Sequence, residues 1–292
     1  MKIDSKTGLL GLFGNPSRHS LSPVIQNFFL SEYDKNCVYL VFEPDSKNLK
    51  DSFAGAKKLG FVGINVTMPF KEDVFKLVDI ADEAASVFKA VNTVKFLTDD
   101  NNKAIGYSTD GAGVIKSLED KKYFWKGKKC LILGAGGAAK SAVYSILQKP
   151  VEEILVFDLL PGKTGNLFEL LGKPQKIRQL KSLADIEERL NEIDLIINCT
   201  PAGMDTGNND NINVLAVPAC WSLKDKFVFD MVYKPFNTKL IEKARADGAA
   251  EVIPGIDMLI NQAAFSFKIW FEIMPEEKLL KEIKEELVKS WI

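Results

Sequence analysis

The sequence predicts an α/β protein of two domains, and three observations carry that prediction. Short apolar runs alternate with helix-like segments almost throughout the chain. One such run, Cys130 to Leu133, leads into Gly134-Ala135-Gly136-Gly137-Ala138-Ala139, then a helical pattern and a second apolar run. A length of 292 residues is enough for two separate cores. The expected division is an open α/β domain over 1–112, completed by C-terminal helices within 251–292, and a doubly wound, Rossmann-type dinucleotide-binding domain over 113–250.

Taken in order, Thr7 to Phe13 reads as a first strand, ending at Gly14-Asn15-Pro16. Ser22-Pro23 is expected to open a helix, with the serine as cap and proline in the first turn. Val38 to Phe42 and Phe61 to Val66 are further strands with helix between them. Lys71 to Val87 reads as helix with a break near Asp79, followed by the strand-like Ala90 to Phe96. A polar turn at Asp99-Asp100-Asn101-Asn102 leads to Ile105-Gly106-Tyr107-Ser108-Thr109-Asp110-Gly111. A helix from about Gly113 opens the second domain. Beyond the glycine turn, Asp194 to Cys199 and Phe227 to Val232 are buried strands and Thr238 to Asp247 a helix. Met258 to Phe271 and Glu276 to Trp291 are two C-terminal helices, expected to pack on the first domain with the ligand cleft between the two halves.

The glycine turn has a specific chemistry. Gly134 permits a tight turn, Gly136 lets backbone approach a pyrophosphate, and Ala139 is small where helix meets strand. The helix that begins around Gly137 and Ala138 offers unpaired N–H groups and a partial positive charge to phosphates. Asp158 ends the second strand, a little over twenty residues on, where a carboxylate can accept from both hydroxyls of an adenosine ribose.

Composition excludes other chemistry. A formal net charge of −1 gives no footprint for nucleic acid. No apolar run approaches a membrane span, and the N-terminal residues do not form a signal peptide. Cys37, Cys130, Cys199 and Cys220 are scattered without metal-site spacing, three of them in apolar or strand-like surroundings, which points to buried thiols and a reducing, cytoplasmic location. His19 is the one histidine, so a histidine-built metal site is not expected; a packing or hydrogen-bonding role beside the following serines is.

Four stretches outside the turn are polar where their surroundings are apolar. His19-Ser20-Leu21-Ser22-Pro23 places two hydroxyls near a helix start, a receptor for a carboxylate. Gly63-Ile64-Asn65-Val66-Thr67-Met68-Pro69-Phe70-Lys71 ends a buried strand with an amide, a hydroxyl and an amine. Ala90-Val91-Asn92-Thr93 adds an amide, and Ser108-Thr109-Asp110-Gly111 a carboxylate. Ligands of open α/β sheets bind beyond the carboxyl ends of the strands. Together these groups describe a site for a small hydroxylated acid.

With these motifs in view, the sequence resembles the shikimate dehydrogenases, including the quinate/shikimate branch. HSLSP, GINVTMPFK, AVNT, STDG, GAGGAAKS, NCTPAGM, DMVYKPFNTKL and GIDMLINQAAFSFKIW fall in family order over nearly the whole chain. The resemblance implies a reductase interconverting 3-dehydroshikimate and shikimate with a nicotinamide cofactor. It makes Lys71 and Asp110 the catalytic pair, and Ser20 and Ser22 the ligands of the substrate carboxylate. Asn65, Thr67, Asn92 and Gln262 become partners of the ring hydroxyls, and Tyr233 a substrate-side tyrosine. Gly134, Gly136, Gly137, Ala138, Asp158, Thr200, Val232, Gly255 and Met258 become the cofactor set. A lysine works as acid or base near neutral pH where desolvation lowers the basicity of an ammonium, a shift that a nearby carboxylate opposes.

Three departures from the family pattern matter. Asp158-Leu159-Leu160 stands where NADP-using members carry Asn-Arg-Thr. A carboxylate about 5 Å from a phosphate charge repels it by roughly 3 kcal/mol at an effective dielectric of about 20. A ribose hydroxyl donating to it gains roughly 1.5–3 kcal/mol. NAD is therefore expected to be favoured, with NADP the alternative through Lys163. Ser108 replaces an asparagine before Thr-Asp-Gly. Gln26 replaces a histidine of strict shikimate enzymes, which leaves quinate open as a second substrate. A homodimer is equally open.

Overall fold

The computed structural model describes residues 3–97, 103–172, 174–205 and 211–289. The expected turn at Asp99–Asn102 and the Trp291 end of the last helix lie outside those residues. The chain divides into two compact units, one built from residues up to 109 with 262–287, the other centred on 110–261.

The first unit contains β1 (Gly8–Phe13), α1 (Ser22–Glu32), β2 (Cys37–Phe42), α2 (Leu49–Lys58), β3 (Gly63–Val66), α3 (Lys71–Phe75), β4 (Ile80–Ala81), α4 (Glu83–Phe88), β5 (Thr93–Phe96) and β6 (Ala104–Tyr107). Its sheet order is β2-β1-β3-β5-β6-β4. The first three strands are parallel, while β5 runs antiparallel to both β3 and β6. The stretch read as one broken helix over 71–87 is two short helices flanking β4. Asp79 explains the interruption: its carboxylate accepts the Ala104 N–H at 2.7 Å and pairs with Lys57 at 2.8 Å, which draws the segment alongside β6.

Period-two alternation along β3 divides its side chains between two environments. Ile64 and Val66 enter an apolar cluster with Phe13, Phe53, Phe61, Phe70, Val91 and Val94. Gly63 and Asn65 face the other way. A side chain at Gly63 would run into the Trp270 indole, whose N–H donates to the Val94 carbonyl at 2.9 Å. Trp270 covers this second face at Gly63, and Phe29 and Phe267, both fully buried, meet edge-on at 5.7 Å.

The second unit contains α5 (Asp110–Asp120), β7 (Lys129–Leu133), α6 (Gly137–Leu147), β8 (Glu153–Phe157), α7 (Pro161–Leu170), β9 (Ile177–Gln179), α8 (Leu183–Arg189), β10 (Leu195–Asn198), β11 (Phe227–Asp230), α9 (Lys239–Asp247) and β12 (Glu251–Pro254). Two C-terminal helices follow, α10 (Gly255–Phe271) and α11 (Glu277–Lys289). The parallel order is β12-β11-β10-β7-β8-β9. Counted from β7 as first strand this is 3-2-1-4-5-6, the doubly wound dinucleotide order, with its switch point between β7 and β10. Both faces of β7 are buried: Cys130 and Ile132 on one core, Leu131 and Leu133 on the other. Among the described residues no helix is long and apolar enough to cross a membrane.

Candidate active site

In the first unit, the segments leaving β1 and β3 emerge at the same sheet edge, where Phe13 is in register with Val66. The Thr67 N–H donates to the Phe13 carbonyl at 2.8 Å and the Asn15 N–H to the Met68 carbonyl at 3.2 Å, so the two segments travel together. Glu43 braces the serine loop by accepting the Ser17 N–H at 2.6 Å and pairing with Arg18 at 2.8 Å. The expected serine cap is absent. Leu21 occupies the cap position without a side-chain bond, and Ser22 is the first residue of α1. Its hydroxyl instead accepts from Ser20 at 3.1 Å. His19 is exposed rather than packed against these serines.

Beneath the serines lies a buried polar network. The fully buried Tyr39 hydroxyl donates to Asn65 Oδ1 at 2.9 Å. Asn65 Nδ2 lies 3.0 Å from the Asn92 carbonyl, Thr93 Oγ1 and Ser266 Oγ. Asn92 Oδ1 accepts the Thr109 N–H at 2.9 Å while its Nδ2 donates to Thr109 Oγ1, also at 2.9 Å. Thr109 Oγ1 then reaches Gln262 Oε1 at 3.4 Å. Asn65, Asn92 and Gln262 are thus members of one connected set, while Ser20 and Ser22 form a hydrogen-bonded pair of their own. Thr67 is half-buried at the end of β3, and Lys71, also half-buried, opens α3 with its carbonyl accepting the Val91 N–H at 3.0 Å. Tyr39, Thr93, Thr109 and Ser266 are members that sequence reasoning missed. They read there as ordinary strand, turn and helix residues.

In the second unit, Gly134 has φ +100°, and a Cβ there would meet Thr200 Cγ2 at 3.2 Å and the Cys199 carbonyl at 3.3 Å. The glycine turn and Thr200 therefore flank the switch point together. Gly136 and Gly137 are exposed, with open space where their side chains would stand, and α6 begins there without a side-chain cap. Open backbone at an uncapped helix start fits a pyrophosphate. At the neighbouring strand end Gly255 lies against the backbone of Met231 and Val232, and Met258 packs on the core below. Half-buried Tyr233 follows, with burial raising its phenol above the ordinary range. Asp110 is half-buried at the start of α5.

The ends of β10 and β11 are joined by Asp230, another residue the sequence did not single out. It is fully buried and accepts from Asn198 Nδ2 at 2.9 Å, from the Val232 N–H at 3.1 Å and from Thr238. Asn198 in turn accepts from the Thr200 hydroxyl at 2.6 Å. Burial raises the Asp230 carboxyl above its usual value, opposed by those three hydrogen bonds. Among the described residues no group of three or more histidine, cysteine or acidic side chains could hold a metal ion.

The shikimate dehydrogenase substrate binding domain matches residues 12–94, the shikimate/quinate 5-dehydrogenase model 117–233, and the shikimate 5'-dehydrogenase C-terminal domain 255–283. A curated protein named shikimate dehydrogenase (NADP(+)) from Caldanaerobacter subterraneus subsp. tengcongensis is 35% identical over 290 residues, 98% of this chain and 100% of its own. One of the same name from Methanococcus aeolicus is 38% identical, over 96% and 97%. A shikimate dehydrogenase solved with NADP+ superposes with TM-score 0.86 at 35% identity, covering 98% of each chain. The Listeria monocytogenes enzyme, solved with shikimate and NAD, gives TM-score 0.88 at 31% identity and 98% coverage of each.

The relatives named for NADP(+), with the NADP+ complex, overturn the expectation that Asp158 favours NAD. The structure supplies the physical reason. Asp158 Oδ2 accepts the Ala135 N–H and Oδ1 the Leu160 N–H, each at 2.8 Å. The carboxylate is engaged in tying the glycine turn to the entry of α7, and two donors offset the charge that was expected to repel a phosphate.

Proposed function

Because the chain belongs to the shikimate dehydrogenase family, we propose that it interconverts 3-dehydroshikimate and shikimate with NADP as hydride carrier. The observation that carries this reading is the connected, buried polar set from Tyr39 to Gln262. Amides and hydroxyls gathered in one buried network at a strand end supply fixed donors and acceptors of the kind a small hydroxylated ligand needs. Ser20 and Ser22 take the carboxylate, while Asn65, Thr67, Asn92 and Gln262 hold the ring hydroxyls. Lys71 accepts the proton of the reacting hydroxyl during oxidation and returns it during reduction, and Asp110 is the second member of the catalytic pair that the family resemblance implies. Bound NADP supplies or accepts the hydride.

The nucleotide reading is supported by the open Gly136–Gly137 backbone at the start of α6 and by Thr200 beside Gly134. Lys163, exposed in the first turn of α7, is the cation we assign to a 2′-phosphate. Tyr233 serves the substrate side, and Val232, Gly255 and Met258 line the nicotinamide. The test is a steady-state matrix of shikimate and quinate against NADP and NAD, read by nicotinamide absorbance. Turnover of shikimate with NADP is expected; no turnover with either nucleotide would end the reading.

Quinate as a second substrate has one observation in its favour. Gln26 is fully buried one helical turn beyond Ser22 on α1, and its Nε2 donates to the Ala263 carbonyl at 3.0 Å. Its Oε1 is buried without a partner, an acceptor available to an additional ligand hydroxyl near the carboxylate seat. Quinate turnover that falls in Gln26→Leu while shikimate turnover holds is the expected signature.

A further inference from the structure

The nucleotide face of the second unit is backbone, and one buried carboxylate stands behind it. The Thr200 N–H can only donate, so the Asn198 group 3.0 Å from it is the amide oxygen. That oxygen also accepts from the Thr200 hydroxyl at 2.6 Å. The Asn198 nitrogen therefore faces Asp230, which accepts from it at 2.9 Å and from the Val232 N–H at 3.1 Å. The second Asp230 oxygen accepts from Thr238, the residue that caps α9 by accepting the Ile241 N–H. Asn198 and Asp230 are both fully buried, so these bonds are made away from solvent.

The chain of bonds ends at the glycine turn. Threonine carries its hydroxyl and methyl on one carbon, so fixing the hydroxyl on Asn198 fixes the methyl as well. It is that methyl that a Cβ at Gly134 would meet, at 3.2 Å. The same hydroxyl accepts the Ala202 N–H at 3.2 Å, which folds the loop after β10 back on itself. Next in the loop, Gly203 has φ +87°, and a Cβ there would meet Thr238 Cβ at 3.3 Å. The residues bonded to Asp230 and Asn198 thus lie against both ends of the segment 200–203. With its hydrogen committed to Asn198, the Thr200 hydroxyl is an anchor for that segment rather than a donor to a phosphate. We propose that Asp230 is a positioning residue for the nucleotide: through Asn198 it orients Thr200, and with it the loop that flanks the glycine turn. The inference rests on the assignment of NADP to this face.

The experiment measures the Kd of NADP by calorimetry without substrate, and the melting temperature of each free protein. It compares the wild type, Asp230→Asn, Thr200→Val and the double variant. Asparagine keeps the shape of residue 230 but accepts more weakly than a carboxylate. Valine keeps the methyl of residue 200 and removes its anchor. With threonine at 200, Asp230→Asn is expected to raise the Kd about fivefold, the size of coupling seen within one hydrogen-bond network. With valine there, the same change at 230 should move the Kd by no more than about twofold. A merely structural Asp230 lowers the melting temperature and shifts the Kd by one factor in both backgrounds, which overturns the proposal. An unchanged Kd in Asp230→Asn overturns it as well. Asn198→Ala cuts the same chain one bond nearer to Thr200 and carries the comparison, with the same outcomes, if Asp230→Asn folds poorly. A wild type that binds neither NADP nor NAD removes the nucleotide assignment and this inference with it, whereas additive shifts in a wild type that binds NADP overturn the inference alone.

Discussion

The two units present polar faces built by opposite means. In the first, the face beyond β1 and β3 consists of side chains whose orientations are set by one another, from Tyr39 and Asn65 through Thr93 and Ser266 to Thr109 and Gln262. In the second, the face beyond β7 is backbone: a glycine turn, an uncapped helix start and space where side chains are missing. The difference matches the ligands. A pyrophosphate is a diffuse anion that any array of N–H groups can hold, whereas a small hydroxy acid is distinguished from its analogues by the placement of individual donors and acceptors. Single side-chain changes should therefore alter chemistry and specificity in the first unit, while backbone changes should dominate in the second.

The sharpest break between the two is expected at Lys71. On the proposed role of Lys71 as proton acceptor, Lys71→Ala should lower kcat by roughly 10²–10⁴-fold, the usual range for a lost acid–base group. The KM for NADP and the melting temperature should barely change. Stopped assays at saturating shikimate and NADP read this directly; near wild-type turnover would take Lys71 out of the mechanism. Gly134→Ala is the counterpart in the second unit. A φ of +100° strains any L side chain, and the new Cβ presses on Thr200 and the Cys199 carbonyl. A penalty of about 1–3 kcal/mol is expected, as a lower melting temperature with an NADP KM raised about tenfold or more. A shikimate Kd close to wild type, measured without nucleotide, would keep the effect within its own unit.

The same contrast decided what was legible from residues alone. The glycine turn could be read because its chemistry is local: strand, turn, helix and acid follow within about thirty residues, and each has its reason in its neighbours. The buried network could not. Asn65 and Ser266 are 201 positions apart and Thr109 and Gln262 are 153 apart, so nothing near Tyr39, Thr93 or Ser266 announces what the fold brings to them. Short elements failed for a related reason. The strand Ile177–Gln179 offers too little periodicity to stand out, and β4 exists because Asp79 is bonded to Ala104 across the unit. Asp158 shows the opposite hazard. Its position was legible and its role was not, since both oxygens had backbone donors that only the turn geometry reveals.

Lys163→Ala measures how far the nucleotide face depends on any side chain at all. The lysine is exposed, so its attraction to a 2′-phosphate is screened by water and salt, and its loss should raise the NADP KM only about three- to tenfold. The KM for NAD, which lacks that phosphate, should be unaltered. Equal changes for both nucleotides would place the 2′-phosphate elsewhere.

The smallest effect belongs to the far edge of the second sheet, where Glu153 begins β8. Its carboxylate pairs with Arg189, which is the main reason its pKa lies below the ordinary value, and with the more exposed Arg178 at 2.8 Å. A depressed folded-state pKa contributes stability that is present above the unfolded value and is lost as pH falls through the folded one. Glu153→Gln should therefore lower the melting temperature by about 2–4 °C near neutral pH, corresponding to roughly 0.5–1 kcal/mol after allowing for solvent screening. The gap between variant and wild type should close as pH falls below the ordinary glutamate value and through the lowered folded-state one. Because Glu153 and the glycine turn lie at opposite ends of neighbouring strands, the NADP KM should not move at any pH where both proteins are folded. A gap that widened on acidification would reverse the sign of the ion pair's contribution. A change in NADP KM would show that the backbone face is not insulated from side chains at the other end of its own sheet.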